Sequence, residues 1–310
     1  MLTTLRPGLG FRPEPINIIS NFGGLGDMIA RLPALRYMRD TFPHTRANVF
    51  WHDYFAPLAE HLLPSTATMV HRLLSDFVNA NDKLPLIDFN PGRVASMGLH
   101  LIDHAFLCIL ERLPPVGPAS HYIQASEIEC NIPLPERPVV ITCGNTASTR
   151  EWLPEQINET ARGLAKRGFT PVFLGNSNPQ ELGNKGTIQA KFSKSIDYSL
   201  GLNLINKTNL IDALSVIQQS HAVLGVDNGL LHLASCSRTP VIWGFTSVEA
   251  KYRVPYGAQN HRALEALVAC SGCQSRSNFT RHDFRKCLFK DLACLPTMTA
   301  ERFLRAFDSL

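Results

Sequence analysis

No apolar run in the 310-residue sequence is long enough to cross a membrane. The nearest, Leu99 to Leu113, is broken by Asp103, His104, Glu111 and Arg112. The first residues hold Arg6, Pro7, Arg12 and Pro13 but no apolar core, which excludes a secretory signal and makes a cytoplasmic location the expectation. Charge is sparse at 18% of residues, with a formal net value of +4. Most of that excess lies between Cys270 and Cys294, where Arg276, Arg281, Arg285, Lys286 and Lys290 face only Asp283 and Asp291. A general polyanion-binding surface is therefore not indicated, whereas a local basic loop is. His100 and His104 stand four residues apart, a spacing that suits a metal, but no Glu or third ligand accompanies them and they read as a helix face.

What is present is a chain of ordinary apolar content, 45%, long enough for two domains. It is organised around Gly225-Val-Asp-Asn-Gly-Leu-Leu-His-Leu-Ala234. A buried strand ends there and a short helix begins, with Asp227 and Asn228 as capping residues and Gly229 allowing close backbone approach. Such a strand–turn–helix points free N–H groups at an anion, most often phosphate, and His232 in the first turn is placed to reach the same ligand. The structural alternative is a well-capped βαβ unit with a packed histidine.

Earlier in the chain, Ile16 to Ser20 reads as a strand and Asp27 to Asp40 as a helix that Pro33 should bend or restart. Gly24-x-Gly26 begins a dinucleotide fingerprint, with Asp53 near the place of a ribose-binding acid, but Ile29 occupies the third glycine position, so a nicotinamide enzyme ranks last. Asp27 has two readings: N-cap of its helix, or a carboxylate at the mouth of a parallel sheet able to act as general base. Strong capping would weaken the base. The proline-rich stretch 132–138 reads as a domain linker. Strands then alternate with helices to residue 245, implying a doubly wound parallel sheet with Gly144, Gly175, Gly225 and Gly244 on its carboxyl rim.

Of eight cysteines, Cys108, Cys130, Cys143 and Cys236 are isolated in apolar settings. Cys270-x2-Cys273, Cys287 and Cys294 form a four-thiolate pattern suited to a closed, structural iron or zinc site. Four unrelated reduced thiols are the alternative.

Three stretches together resemble glycosyltransferase family 9, the heptosyltransferase-like glycosyltransferases. They are Gly24-Leu-Gly26-Asp27 with Pro33-Ala-Leu35, Gly144 with Arg150-Glu-Trp-Leu-Pro154, and Asp227-Asn-Gly-x-x-His-Leu-Ala234, where Asn228 replaces the usual Thr and Arg150 an often-found Lys. The cysteine cluster is similar to the iron-holding finger of autotransporter protein heptosyltransferases. The resemblance implies an α/β GT-B fold of two Rossmann-like domains facing a cleft, with boundaries expected at 1–136, 137–268, 269–296 for the finger and 297–310 for a terminal helix. In GT-B enzymes such a helix commonly crosses back to the first domain.

It further implies an inverting transferase that moves a heptose or hexose from a nucleotide-activated donor, ADP-heptose favoured, to an acceptor hydroxyl on a protein or saccharide. Asp27 would be the base. Gly26, Gly144, Arg150, Gly175, Asn228, Gly229 and His232 would bind the donor, with His232 and Arg150 supplying charge or hydrogen-bond donors to the leaving diphosphate. No catalytic divalent metal is implied, and a homo-oligomer is left open. Two other functions fit parts of the sequence: a sugar transferase acting on DNA bases, suggested by the basic finger, and a nucleotide-sugar-binding protein without catalysis.

Overall fold

The computed structural model describes residues 15–20, 23–76, 86–88, 99–115, 117–144, 146–177, 180–181, 187–188, 190–276, 286–287 and 289–310. Two parallel sheets arise from the apolar runs. The first has the order β3-β2-β1-β4, built from β1 (Ile16–Ser20), β2 (Ala47–Trp51), β3 (Met69–Leu73) and β4 (Leu86–Asp88). The second runs β12-β11-β10-β5-β6-β9. Its strands are β5 (Pro138–Thr142), β6 (Thr170–Leu174), β9 (Leu202–Asn203), β10 (Ala222–Val226), β11 (Val241–Phe245) and β12 (His261–Glu265). A small antiparallel pair, β7 (Gln180–Glu181) and β8 (Thr187–Ile188), lies outside both. Both large sheets have Rossmann-type order, in which a strand pairs with neighbours wound in opposite directions and leaves a crevice at its carboxyl end. That crevice lies between β1 and β4 in the first sheet and between β5 and β10 in the second.

The central strands of the second sheet are buried on both faces, which is why they read as unbroken apolar runs rather than alternating ones. Alternate residues nonetheless enter different cores. Val140 and Val223 face α5 (Leu210–Gln218) and α6 (Gly229–Ala234), in a cluster continuous with the core of the first sheet. Val139, Ile141, Ala222 and Leu224 face α4 (Pro154–Lys166) and α8 (Ala300–Phe307).

The first-half helices are α1 (Leu25–Thr41), α2 (Ala56–Leu62) and α3 (Leu101–Leu110), and a single turn, α7 (Cys273–Arg276), lies in the cysteine segment. Helix α1 starts two residues earlier than expected, with Gly24 as its N-cap, and continues through Pro33 without restarting. Only one N–H is lost at a proline, and α1 is held by packing against α3 and α6. His100 is not a helix-face residue: it caps α3, its Nδ1 accepting from the Ile102 N–H at 3.0 Å, and it is buried against Tyr256.

Two connections also differ from expectation. Residues ahead of the proline-rich stretch are fixed to the second half, with Tyr122, Ile123 and Ala125 buried and Ala125 donating to the Cys236 carbonyl at 2.7 Å. Helix α8 stays on the second half and does not cross back. Phe303 stacks on Trp152 at 4.2 Å, and Asp308 pairs with Arg167 at 2.7 Å. Its apolar stripe fills the second core, and its exposed side carries the charged Glu301 and Arg305.

Candidate active site at the seam of the two sheets

Adjacent strands β5, β10 and β11 deliver one charged group each to the same rim. Asp227 follows β10 and is 1% exposed. Its Oδ2 lies 3.1 Å from Arg150 Nη1, on the loop after β5, and 3.8 Å from Arg253 Nε, on the loop after β11. Burial alone would raise the Asp227 carboxyl, but Arg150, Arg253 and the His232 side offset it and hold it below the usual carboxylate range. Asp227 is therefore not the cap of α6. Asn228 is: its Oδ1 accepts from the N–H groups of Leu230 and Leu231, while its Nδ2 donates to Thr142 Oγ1 at 2.8 Å. Two of the helix-end donors expected to meet a phosphate are thus already occupied by the Asn228 carboxamide.

Helix α1 brings the first half directly against this rim. Gly229 sits on Leu25, and Gly26 lies under the His232 ring so closely that a Cβ there would fall 2.5 Å from Cδ2. Only glycine permits that approach. Asp27, the next residue, occupies the third helical position and accepts from the Gly24 N–H at 2.8 Å through Oδ2. It caps α1 from inside the first turn rather than as the N-cap itself. It is close enough for its charge to act on both His232 and His104.

His232 is 4% exposed. Its Nδ1 lies 2.6 Å from Tyr122 Oη, its Nε2 faces Asp227 Oδ1 at 3.8 Å, and its ring meets Trp243 edge-on at 4.7 Å. Burial drives its pKa down to about 3, the Asp227 charge opposing and the Arg253 charge reinforcing the shift. The contact with Asp227 is accordingly between a neutral ring and a carboxylate. A neutral ring offers this site hydrogen bonding rather than charge.

A cleft opens beside this cluster, lined by Thr142, Gly144, Arg150, Lys191, Ser193 and Asn228 among others. Gly144, at φ +78°, and Gly175 both abut Phe192. Gly144 faces the cleft, whereas Gly175 packs behind it. Trp152 of the Arg150 loop is structural, its Nε1 donating to the Met298 carbonyl at 3.0 Å. Sequence reasoning missed Tyr122, Arg253, Lys191 and Ser193; each lies in an irregular segment without a recognisable spacing.

All four clustered cysteines are among the described residues, whereas 277–285 and 288 between them are not. Among the described residues no three His, Cys, Asp or Glu side chains converge tightly enough to ligate a metal. The four sulfurs are nonetheless within electrostatic reach of one another. Burial, together with the other three thiols, pushes Cys294 up to about 11, and burial with Cys270 and Cys287 raises Cys273. No helix among the described residues is long and apolar enough to cross a membrane.

Two Rossmann-ordered sheets meeting at their carboxyl rims define an α/β protein of GT-B type. A profile of glycosyltransferase family 9 (heptosyltransferase) matches residues 119–282, more than half of the chain, and the protein belongs to that family of glycosyltransferases. Lipooligosaccharide heptosyltransferase 2 of Haemophilus influenzae is 25% identical over 124 residues, 39% of this chain and 35% of that relative. The match thus spans about a third of the curated relative's length.

Among solved structures, TibC of enterotoxigenic E. coli, a dodecameric iron-containing glycosyltransferase, matches with TM-score 0.74 at 14% identity, covering 96% of this chain and 76% of that one. The ADP-heptose lipopolysaccharide heptosyltransferase II of E. coli matches with TM-score 0.61 at 14% identity over 96% and 98% of the two chains. A family 9 glycosyltransferase of Veillonella parvula gives 0.61 at 13% identity over 96% and 97%. TibC has also been solved with ADP-D-β-D-heptose.

Proposed function

We propose that the protein is an inverting glycosyltransferase that moves a heptose, or a related hexose, from a nucleotide diphosphate donor to an acceptor hydroxyl, with ADP-heptose the favoured donor and a protein or saccharide the acceptor. One observation carries the reading: Gly26 presses on the His232 ring, which brings the neighbouring Asp27 of one half within electrostatic reach of the histidine flanking the Arg150–Asp227–Arg253 row of the other. Attack by the acceptor oxygen on the anomeric carbon forms the new glycosidic bond as the bond to the diphosphate oxygen breaks. The diphosphate leaves with the electron pair, and the acceptor proton passes to Asp27, whose Oδ1 carries no hydrogen bond among the described residues.

Two guanidiniums against one carboxylate leave a unit of positive charge on the rim, partly open to solvent at 19% and 21% side-chain exposure, where the departing diphosphate needs it. Arg150 and Asn228 line the cleft and are assigned to the donor, together with Gly144, Gly229 and Gly26, which keep the approach narrow. Gly175 supports them through Phe192.

In this reading Cys270, Cys273, Cys287 and Cys294 hold iron or zinc. The donor set suits either, and mutual repulsion among the thiolates is what a cation would relieve. The metal would tie the chain on both sides of 277–285 without entering the reaction. Assembly of several copies is proposed by likeness to dodecameric TibC.

Asp27→Asn separates the steps. Transfer, followed by intact-mass detection on candidate acceptors, should fall at least about 100-fold while donor binding by calorimetry stays within about twofold. Undiminished transfer would remove Asp27 as the base.

A further inference from the structure

The buried contact between Tyr122 and His232 is assigned by no sequence motif. A phenol has one proton, and Tyr122 Oη has two acceptors in range: His232 Nδ1 at 2.6 Å and the Arg253 carbonyl at 3.3 Å. If Tyr122 donated to the carbonyl, His232 would carry its proton on Nδ1. Its Nε2 lone pair would then face Asp227 Oδ1, a buried carboxylate oxygen that has no hydrogen bond. That arrangement sets a lone pair against a negative charge in a buried site, which is costly. If Tyr122 donates to Nδ1, the proton sits on Nε2 and points toward the Asp227 oxygen that lacks a donor. The shorter of the two contacts and the electrostatics select the same arrangement. Burial keeps both partners in the required forms, raising the Tyr122 phenol well above its ordinary value and keeping His232 neutral.

We infer that Tyr122 is a positioning residue that fixes His232 as its Nε2–H tautomer and so aims a neutral N–H donor into the seam between Asp227 and Gly26. The Nε2–H is 3.8 Å from Asp227 Oδ1, too far for a full hydrogen bond. It is thus held near the carboxylate without being consumed by it. It rests on Gly26, the residue before Asp27. Resting on the transferase reading, the inference makes this N–H a donor to the leaving phosphate oxygen. His232 would neither take a proton nor carry charge. Tyr122 itself touches no substrate and acts only through the ring, as partners of buried histidines commonly do.

The test uses the full chain with 15N-labelled histidine, His232 being assigned from the signals missing in His232→Gln. The wild-type ring should show a protonated Nε2 and an unprotonated Nδ1 at neutral pH, and Tyr122→Phe should convert this to a tautomer mixture. A protonated Nδ1 in the wild type, or an unchanged tautomer in Tyr122→Phe, would overturn the inference. Neither outcome depends on the transferase reading.

Kinetics supply the second arm: Tyr122→Phe should lower kcat about tenfold with donor KM within about twofold. A glutamine amide places an N–H near the Nε2 position and has no tautomer to fix, so in the His232→Gln background Tyr122→Phe should cost less than about twofold. A full tenfold loss in that background would mean Tyr122 acts otherwise. Wild-type protein that shows the expected tautomer but transfers nothing from any donor would sink the transferase reading alone.

Discussion

A carboxylate at 1% exposure is costly to bury unless cations surround it, and Asp227 has two. The arrangement works in both directions, because the carboxylate also holds two guanidiniums side by side that would otherwise repel. Arg253→Ala should therefore weaken binding of a nucleoside diphosphate about tenfold, while binding of the corresponding nucleoside, which lacks phosphate, changes less than about twofold. Calorimetry at two salt concentrations checks this, since the lost affinity should shrink as salt rises. Equal losses for both ligands would mean that Arg253 supports the fold rather than the phosphate. Neither Arg253 nor Tyr122 stood out beforehand. A lone arginine in a loop and a lone tyrosine after a proline break carry no period, and only their tertiary neighbours reveal them.

Among the elements, those with a strong local code were the ones readable in advance. The runs at 16–20, 139–142 and 221–226 read as short buried strands, whereas Asn209 starts α5 with an Asn–Asp capping box that the sequence reading does not anticipate. The sequence marks the start of α6 but offers two caps, Asp227 and Asn228, of which the fold uses Asn228. Asp227 and Asn228 are both good caps by type, and which one turns inward depends on Arg150, 77 positions away. The destination of α8 was misjudged for a similar reason, since its apolar stripe does not name its partner.

The cysteine segment gives the clearest spacing. Replacing Cys270 and Cys273 by Ser should remove the metal from the purified protein, about one equivalent by mass spectrometry, and lower the melting temperature by several degrees. Full metal content in the double variant would exclude the four-thiolate site.

For the whole molecule, the buried histidines set a pH limit. Burial lowers His100, His104 and His261 to about 4 and His232 to about 3, against 6.5 unfolded. Between those values the unfolded chain binds protons that the folded one refuses, so stability rises with pH across this window and is flat above it. Each histidine contributes at most ~1.4 kcal/mol per pH unit. Asp227, held low, is lost in the same direction once pH falls through its folded value. Thermal unfolding should show a steady melting temperature from pH 8 to 7 and a steep decline from pH 6 to 4. A curve flat down to pH 5 would mean that these rings charge without disturbing the fold.

The two halves touch at glycines, Gly26 under His232 and Gly229 against Leu25, so these parts of the seam are nearly smooth. Smooth faces can slide or part without unlocking knobs from holes, and they admit no larger residue without being wedged open. Variation in acceptor preference is therefore easier to accommodate elsewhere, on the outer loops of the first sheet, than along this bearing surface, whose width sets how closely an acceptor hydroxyl and a leaving phosphate can be brought together.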